Sequence, residues 1–93
     1  MSTLALFRWT GDPEALLAAY DRELRHEAAR DQPKRQLHVC ARGDEGIVVV
    51  DLWESDEDLR RMLDDPAFRE NLAAAGWPEG ETMEVYRVHA TIP

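Results

Sequence analysis

His38 and Asp51 are the titratable side chains that the sequence can bring together for chemistry. Two strand-like runs, 35–42 and 47–54, flank a turn with a two-residue tip, which is typical of a β-hairpin. In that hairpin His38 lies directly opposite Asp51, with Cβ atoms about 5 Å apart. The carboxylate would orient the imidazole as a base for proton abstraction. A structural polar pair is the alternative interpretation.

The hairpin interpretation depends on its register. If Asp44 and Glu45 form the tip, the other predicted pairs are Arg42 with Ile47, Cys40 with Val49 and Gln36 with Trp53. A three-residue loop would shift all of these pairs. In the second strand, apolar residues occupy every second position, namely Leu37, Val39 and Ala41. We expect this face of the strand to pack against the helices.

Other residues that carry reactive groups have structural explanations. Cys40 has no helix start beside it to activate a thiolate, so an inert thiol is expected. The acidic clusters 56–58 and 64–65 stand at predicted helix starts, where capping explains them, and no metal site is expected. His89 lies on the last predicted strand, where a barrel-interior or interface role is expected. No phosphate loop, serine nucleophile motif or paired-histidine metal motif is present in the sequence.

The elements that must position these side chains alternate along the chain. Strands are predicted at 3–10 and 82–92, in addition to the hairpin. A helix is predicted over about 13–30, and a second helix from 55, with a break near Pro66 and a loop at 76–80. The order βαββαβ predicts an α+β fold, the ferredoxin-like plait, with a four-stranded antiparallel sheet and two helices on one face.

The third strand is apolar on both faces, as the run Val48-Val49-Val50 shows. With both helices on one face of the sheet, the other face needs a cover. A second copy of the chain is the simplest cover, so a homodimer is expected.

Size and charge limit the function classes. A chain of 93 residues makes one domain, 1–93, near the lower limit of comfortable stability. Eleven Lys plus Arg against nineteen Asp plus Glu give a net charge of −8, which argues against nucleic acid and anionic membranes as partners. One cysteine and no leader or membrane span predict a cytoplasmic location.

One segment carries a family resemblance. Trp53-Glu54-Ser55-Asp56-Glu57-Asp58-Leu59, followed by Leu63, Pro66 and Phe68, has the spacing W-E-S-x-E-x-L-x(3)-L-x(2)-P-x-F. This spacing resembles the antibiotic-biosynthesis-monooxygenase-like group of the dimeric α+β barrel superfamily. The resemblance implies a homodimer whose sheets face each other, with a ligand cleft between each sheet and its own helices.

The same resemblance implies a small hydrophobic or aromatic, polyketide-like ligand, which the protein oxidises or isomerises without a cofactor. A non-catalytic ligand-binding or interaction dimer is the alternative. The cleft is expected to be lined by Phe7, Trp9, Tyr20, Met62 and Leu72. If Leu37, Val39 and Ala41 face the helices, His38 is turned away from this cleft.

Haem chemistry is not expected from the residues at the matching positions. Leu72 stands where haem-degrading relatives carry an axial histidine, Met62 where a tryptophan packs on the haem, and Phe7 where an asparagine is found. No cofactor is therefore predicted. Other members of the group carry histidines near Met62 and at the position of Ala67, and this chain has neither.

Overall fold

The computed structural model describes residues 2–30, 32–74 and 81–93. Four strands form one antiparallel sheet in the order β2-β3-β1-β4. They are β1 (Thr3–Thr10), β2 (Arg35–Arg42), β3 (Gly46–Trp53) and β4 (Thr82–Arg87). The first helical stretch comprises α1 (Pro13–Ala19), a π-helical segment (Tyr20–Leu24) and α2 (Arg25–Ala28). The second comprises α3 (Asp56–Leu63) and α4 (Pro66–Ala74). The predicted ferredoxin-like α+β fold is confirmed.

Local sequence signals explain where the helices begin. The Asp12 side chain accepts a hydrogen bond from the Glu14 N–H at 3.3 Å, with Pro13 at the first helical position. The Ser55 hydroxyl accepts one from the Asp58 N–H at 3.2 Å. α3 ends before Pro66 and α4 begins with it, as predicted, because proline lacks the N–H that a continuous helix needs.

The predicted hairpin register is confirmed from the turn up to His38, which lies opposite Asp51. The predicted pair of Gln36 with Trp53 is wrong, because a β-bulge between Arg35 and Leu37 adds one residue to β2. Arg35 therefore lies opposite Trp53.

The last strand is shorter than predicted. β4 ends at Arg87, which lies opposite Thr3, the first residue of its neighbour β1. Beyond that point β1 has no further residues to pair with β4. The Val88 N–H still donates to the Ser2 carbonyl at 2.9 Å. The predicted loop at 76–80 lies outside the described residues.

The two faces of the sheet differ in their cover. The helices pack on the face that carries Phe7, Trp9, Val49 and Trp53, and this side holds the buried core. The opposite surface is called the open face, and its apolar side chains are half-buried or exposed. They are Leu4, Leu6, Leu37, Val39, Val48, Val50, Leu52 and Tyr86.

The expectation that Leu37, Val39 and Ala41 face the helices is wrong. Leu37 is 53% exposed and Val39 41% exposed, both on the open face. His38 lies opposite Asp51, which shares the helix-covered face with Val49 and Trp53, so the strand alternation turns His38 toward the helices. Within the described residues, no helix is long and apolar enough to span a membrane.

Candidate functional site

A cavity of about 350 Å³ lies between the sheet and its helices. Its wall is largely aromatic and apolar, and includes Phe7, Trp9, Trp53, Met62, Phe68 and Leu72. The rings of Phe7 and Trp9 stack with centroids 6.2 Å apart and planes inclined by 20°. This volume lies within the range of small-molecule sites, and an aromatic wall suits a flat apolar ligand.

His38 and Asp51 lie on the sheet side of this cavity. His38 Nδ1 lies 2.5 Å from Asp51 Oδ1. The Asp51 side chain is 5% exposed and that of His38 is 16% exposed. A carboxylate so deeply buried requires a hydrogen-bond donor, and the imidazole supplies it. The cavity therefore contains an imidazole that a buried acid holds in a fixed orientation.

Tyr20 completes this group from the π-helical segment. Its hydroxyl lies 2.7 Å from His38 Nε2, and the two ring planes are within 9° of parallel. Burial raises the pKa of Tyr20, and Cys40 raises it further, while Arg25 lowers it. A phenol with a raised pKa keeps its proton at neutral pH, so Tyr20 donates to Nε2. His38 Nδ1 then carries the hydrogen that Asp51 accepts.

The three side chains form one hydrogen-bonded chain from Asp51 through His38 to Tyr20. Both imidazole nitrogens are therefore engaged.

The five residues predicted to line the cleft occupy two different environments. Phe7, Trp9, Met62 and Leu72 line the cavity, whereas Tyr20 is buried and directs its hydroxyl to His38. The sequence contains no signal for the Tyr20 contact, since it depends on how the first helical stretch crosses the sheet.

Charged side chains also contribute to the cavity wall. Arg61 lies 3.5 Å from Asp58, Arg69 lies 3.0 Å from Glu81, and the exposed Arg30 lies 3.2 Å from Glu27. Lys34 lies 3.2 Å from Glu54. These cations all have carboxylate partners, so each pair contributes little net charge to the site.

Arg35, like the other cationic lining residues, was not predicted from the sequence. Its guanidinium carbon lies 5.9 Å from the centre of the Trp53 ring, and one guanidinium N–H donates to the Ala28 carbonyl. The bulge in β2 places it on this face, and regular alternation would have placed it on the open face. No sequence signal marks the bulge.

The remaining candidates lie apart from this chemistry. Burial raises the pKa of the Cys40 thiol, and Asp21 raises it further, so Cys40 stays protonated at neutral pH. His89 is exposed beyond the end of β4. In the parts of the chain that the structure describes, no three His, Cys, Asp or Glu side chains are grouped to hold a metal ion.

Comparison of the sequence with family models and with curated proteins finds no match. Solved structures do match over nearly the whole chain. SnoaB, a cofactor-independent oxygenase from Streptomyces nogalater, has a TM-score of 0.73 and 22% identity, covering 99% of this chain and 97% of its own. Rv0793 from Mycobacterium tuberculosis has a TM-score of 0.72 and 15% identity, and both chains are covered completely.

A structure described as an antibiotic biosynthesis monooxygenase matches with a TM-score of 0.67 and 13% identity, covering 97% of this chain and 100% of its own. At such identities the likeness concerns the fold, since one fold hosts many activities. It confirms the resemblance that the segment from Trp53 to Phe68 predicted. The chain therefore has the α+β fold of the antibiotic-biosynthesis-monooxygenase-like structures.

Proposed function

We propose that this protein is a cofactor-independent oxygenase that acts on a flat, largely apolar aromatic substrate with an acidic C–H group. The observation that carries the proposal is the hydrogen-bonded pair of His38 and Asp51 in an aromatic cavity of about 350 Å³. A binding protein needs the cavity and its aromatic wall, but it has no need of a buried carboxylate that orients an imidazole. The description of SnoaB as a cofactor-independent oxygenase supports the same reaction class.

The reaction needs no external electrons. A base removes a proton from a methylene group that the aromatic system acidifies, and the carbanion reduces O₂ to form a C–O bond. The resulting peroxide takes up a proton, its O–O bond breaks, and water leaves as the carbon becomes a ketone. In sum, R₂CH₂ and O₂ give R₂C=O and H₂O. The protein supplies the base, a fixed orientation and a site from which water is largely excluded.

His38 is the proposed base, and Asp51 stabilises the imidazolium that forms. Because the Tyr20 hydroxyl occupies Nε2, the substrate proton has two routes to that nitrogen. Either the substrate displaces the hydroxyl, or the hydroxyl takes the substrate proton and passes its own to Nε2. The two routes differ in their dependence on Tyr20, which makes them separable by Tyr20→Phe.

The open face supports a homodimer as the working form. Eight apolar side chains from all four strands lie on it, and Leu37 and Tyr86 are each more than half exposed. Monomeric proteins rarely leave an apolar surface of this extent in water. A second copy facing the same surface would bury it and leave both cavities on the outer, helix-covered sides.

The test uses anthrone, a flat tricyclic ketone with an acidic methylene group, under air. The wild-type protein should accelerate oxygen uptake and the formation of anthraquinone, followed by absorbance. His38→Ala should lower the turnover rate about 100-fold or more, because a positioned general base contributes at least that much. His26→Ala is the matched control, since His26 is exposed on α2 and does not line the cavity.

Each outcome decides one part of the proposal. If the wild-type protein binds anthrone and does not accelerate its oxidation, the protein is a binding dimer instead of an oxygenase. If His38→Ala folds normally by circular dichroism and keeps its turnover, His38 and Asp51 are structural. Tyr20→Phe should abolish turnover if the hydroxyl relays the proton, and should preserve it if the substrate displaces the hydroxyl.

A further inference from the structure

We propose that Arg35 forms an anion subsite in the cavity, and that the natural ligand is an aromatic compound bearing a carboxylate. This inference rests on the proposed function for the aromatic part of the ligand and adds the charged part. Arg35 and Trp53 line the cavity together, with the guanidinium over the indole ring. Stacking of this kind holds a guanidinium in one plane, where its remaining N–H groups are available to a ligand.

The backbone places Arg35 in this position by a specific irregularity. In regular alternation from His38, the residue on the helix-covered face next along β2 would be Gln36. The bulge shifts the strand by one residue, so Arg35 lies opposite Trp53 and Gln36 is exposed. Bulges next to active sites commonly redirect a side chain, and here the redirected side chain is a cation.

Arg35 also differs from its charged neighbours in what it binds. The other four cationic lining residues each have a carboxylate within 3.5 Å. Across the described residues, Arg35 has no carboxylate partner, and its recorded hydrogen bond goes to the Ala28 carbonyl. A guanidinium carries five N–H donors, so most of its donor capacity is unused.

Trp53 holds Arg35 without competing for its donors. The Trp53 side chain is almost fully buried, and its indole ring offers no hydrogen-bond acceptor to the guanidinium. A carboxylate supplies two acceptor oxygens in the geometry that a guanidinium favours, which makes it the best match for Arg35.

The aromatic wall and the cation together define the ligand class. The stacked Phe7 and Trp9 rings suit the ring system, and Arg35 suits a carboxylate on its edge. The net charge of −8 repels all anions alike, so an anion that binds must offset this repulsion by burying a ring system against the aromatic wall. Small inorganic or aliphatic anions should therefore bind poorly.

The test compares two fluorescent probes of similar size, anthracene-2-carboxylate and the neutral 2-(hydroxymethyl)anthracene. Wild-type protein should bind the carboxylate about tenfold more tightly than the alcohol, as measured by fluorescence titration. Arg35→Gln should weaken carboxylate binding about tenfold and leave alcohol binding within about twofold. Arg60→Gln is the matched control, because Arg60 is exposed on α3 and does not line the cavity, so it should leave the affinity for both probes unchanged.

Three results would overturn the inference. They are equal affinity of the wild-type protein for the two probes, an equal loss of both affinities in Arg35→Gln, and no binding of either probe. The readout is binding, so it is independent of the proposed reaction. A carboxylate preference without anthrone oxidation would refute the oxygenase and keep the subsite, whereas oxidation without the preference would refute the subsite alone.

Discussion

Val49 and Val50 are neighbours in β3 and lie on opposite faces of the same sheet. Val49 is 2% exposed beneath the helices, whereas Val50 is half-buried on the open face. Both faces are apolar, so composition does not distinguish them. The difference lies in what covers each face, since the chain's own helices cover one and no described part of the chain covers the other.

The comparison separates two tasks within one small domain. The helix-covered face contains the cavity and the hydrogen bonds that join Asp51 to His38 and His38 to Tyr20. A single copy of the protein supplies all of these groups. The open face contains a broad apolar surface. A polar cluster on it lies toward the β4 edge, does not line the cavity, and consists of Arg8, Glu84 and Tyr86. Chemistry is therefore assigned to one face and assembly to the other, and each assignment can be tested without disturbing the opposite face.

The largest effect is expected from a charge on the open face. Val50→Asp places a carboxylate at the centre of the proposed dimer surface, where desolvation without a partner weakens association by more than about 100-fold. Light scattering should show wild-type protein at twice 10.6 kDa and the variant at 10.6 kDa.

The matched control for this prediction is Ala73→Asp, which adds the same charge to an exposed position on α4. This variant should keep the mass of the wild-type protein. A wild-type protein that is monomeric at micromolar concentration would contradict the assignment of the open face to assembly.

The second prediction concerns the replacement of Val49 and Val50 by alanine, one at a time. Val49→Ala should lower the free energy of unfolding by about 2 kcal/mol at every protein concentration, because two buried carbons are lost within one copy. Val50→Ala should lower it by an amount that depends on protein concentration, because in the proposed dimer the second copy supplies its burial. Urea unfolding at several concentrations measures both effects. Identical concentration dependence in the two variants would remove the distinction between the faces.

Much of the fold was predictable because it is determined by local signals. Asp12 and Ser55 mark helix starts through their side-chain oxygens, and Pro66 marks a break through its missing N–H. The turn fixed the register that brings His38 opposite Asp51. These features depend on residues close in sequence, so the sequence carries them directly.

The parts that were missed depend on long-range packing. Alternation identifies two faces of β2 but does not say which one the helices cover, so Leu37 and Val39 were assigned to the wrong side. The bulge that redirects Arg35 has no local marker. Tyr20 and His38 are 18 residues apart in sequence, and their contact depends on how two elements pack. It also depends on a π-helical turn, which periodicity alone does not predict.

The smallest of these effects concerns alkaline pH and two titratable groups on the helix-covered face. Burial raises the pKa of Cys40 above its ordinary value of 9.0 and that of Tyr20 above 10.0. Well below pH 9 both groups are protonated in the folded and unfolded chains, so their contribution to stability is complete. As the pH rises further, the unfolded chain loses these protons first, and the free energy of unfolding falls through the two raised pKa values.

Urea unfolding at pH 8 to 11 measures this decline. Cys40→Ala should reduce its first stage, beginning near pH 9, and Tyr20→Phe should reduce the second, beginning near pH 10. The Glu84 hydrogen bond also raises the pKa of Tyr86 on the open face, so a part of the second stage should persist in Tyr20→Phe. Val50→Ala serves as the reference, since Val50 lies on the opposite face and carries no titratable group. A decline that is unchanged in both the Cys40 and Tyr20 variants would show that the alkaline loss arises outside the helix-covered face.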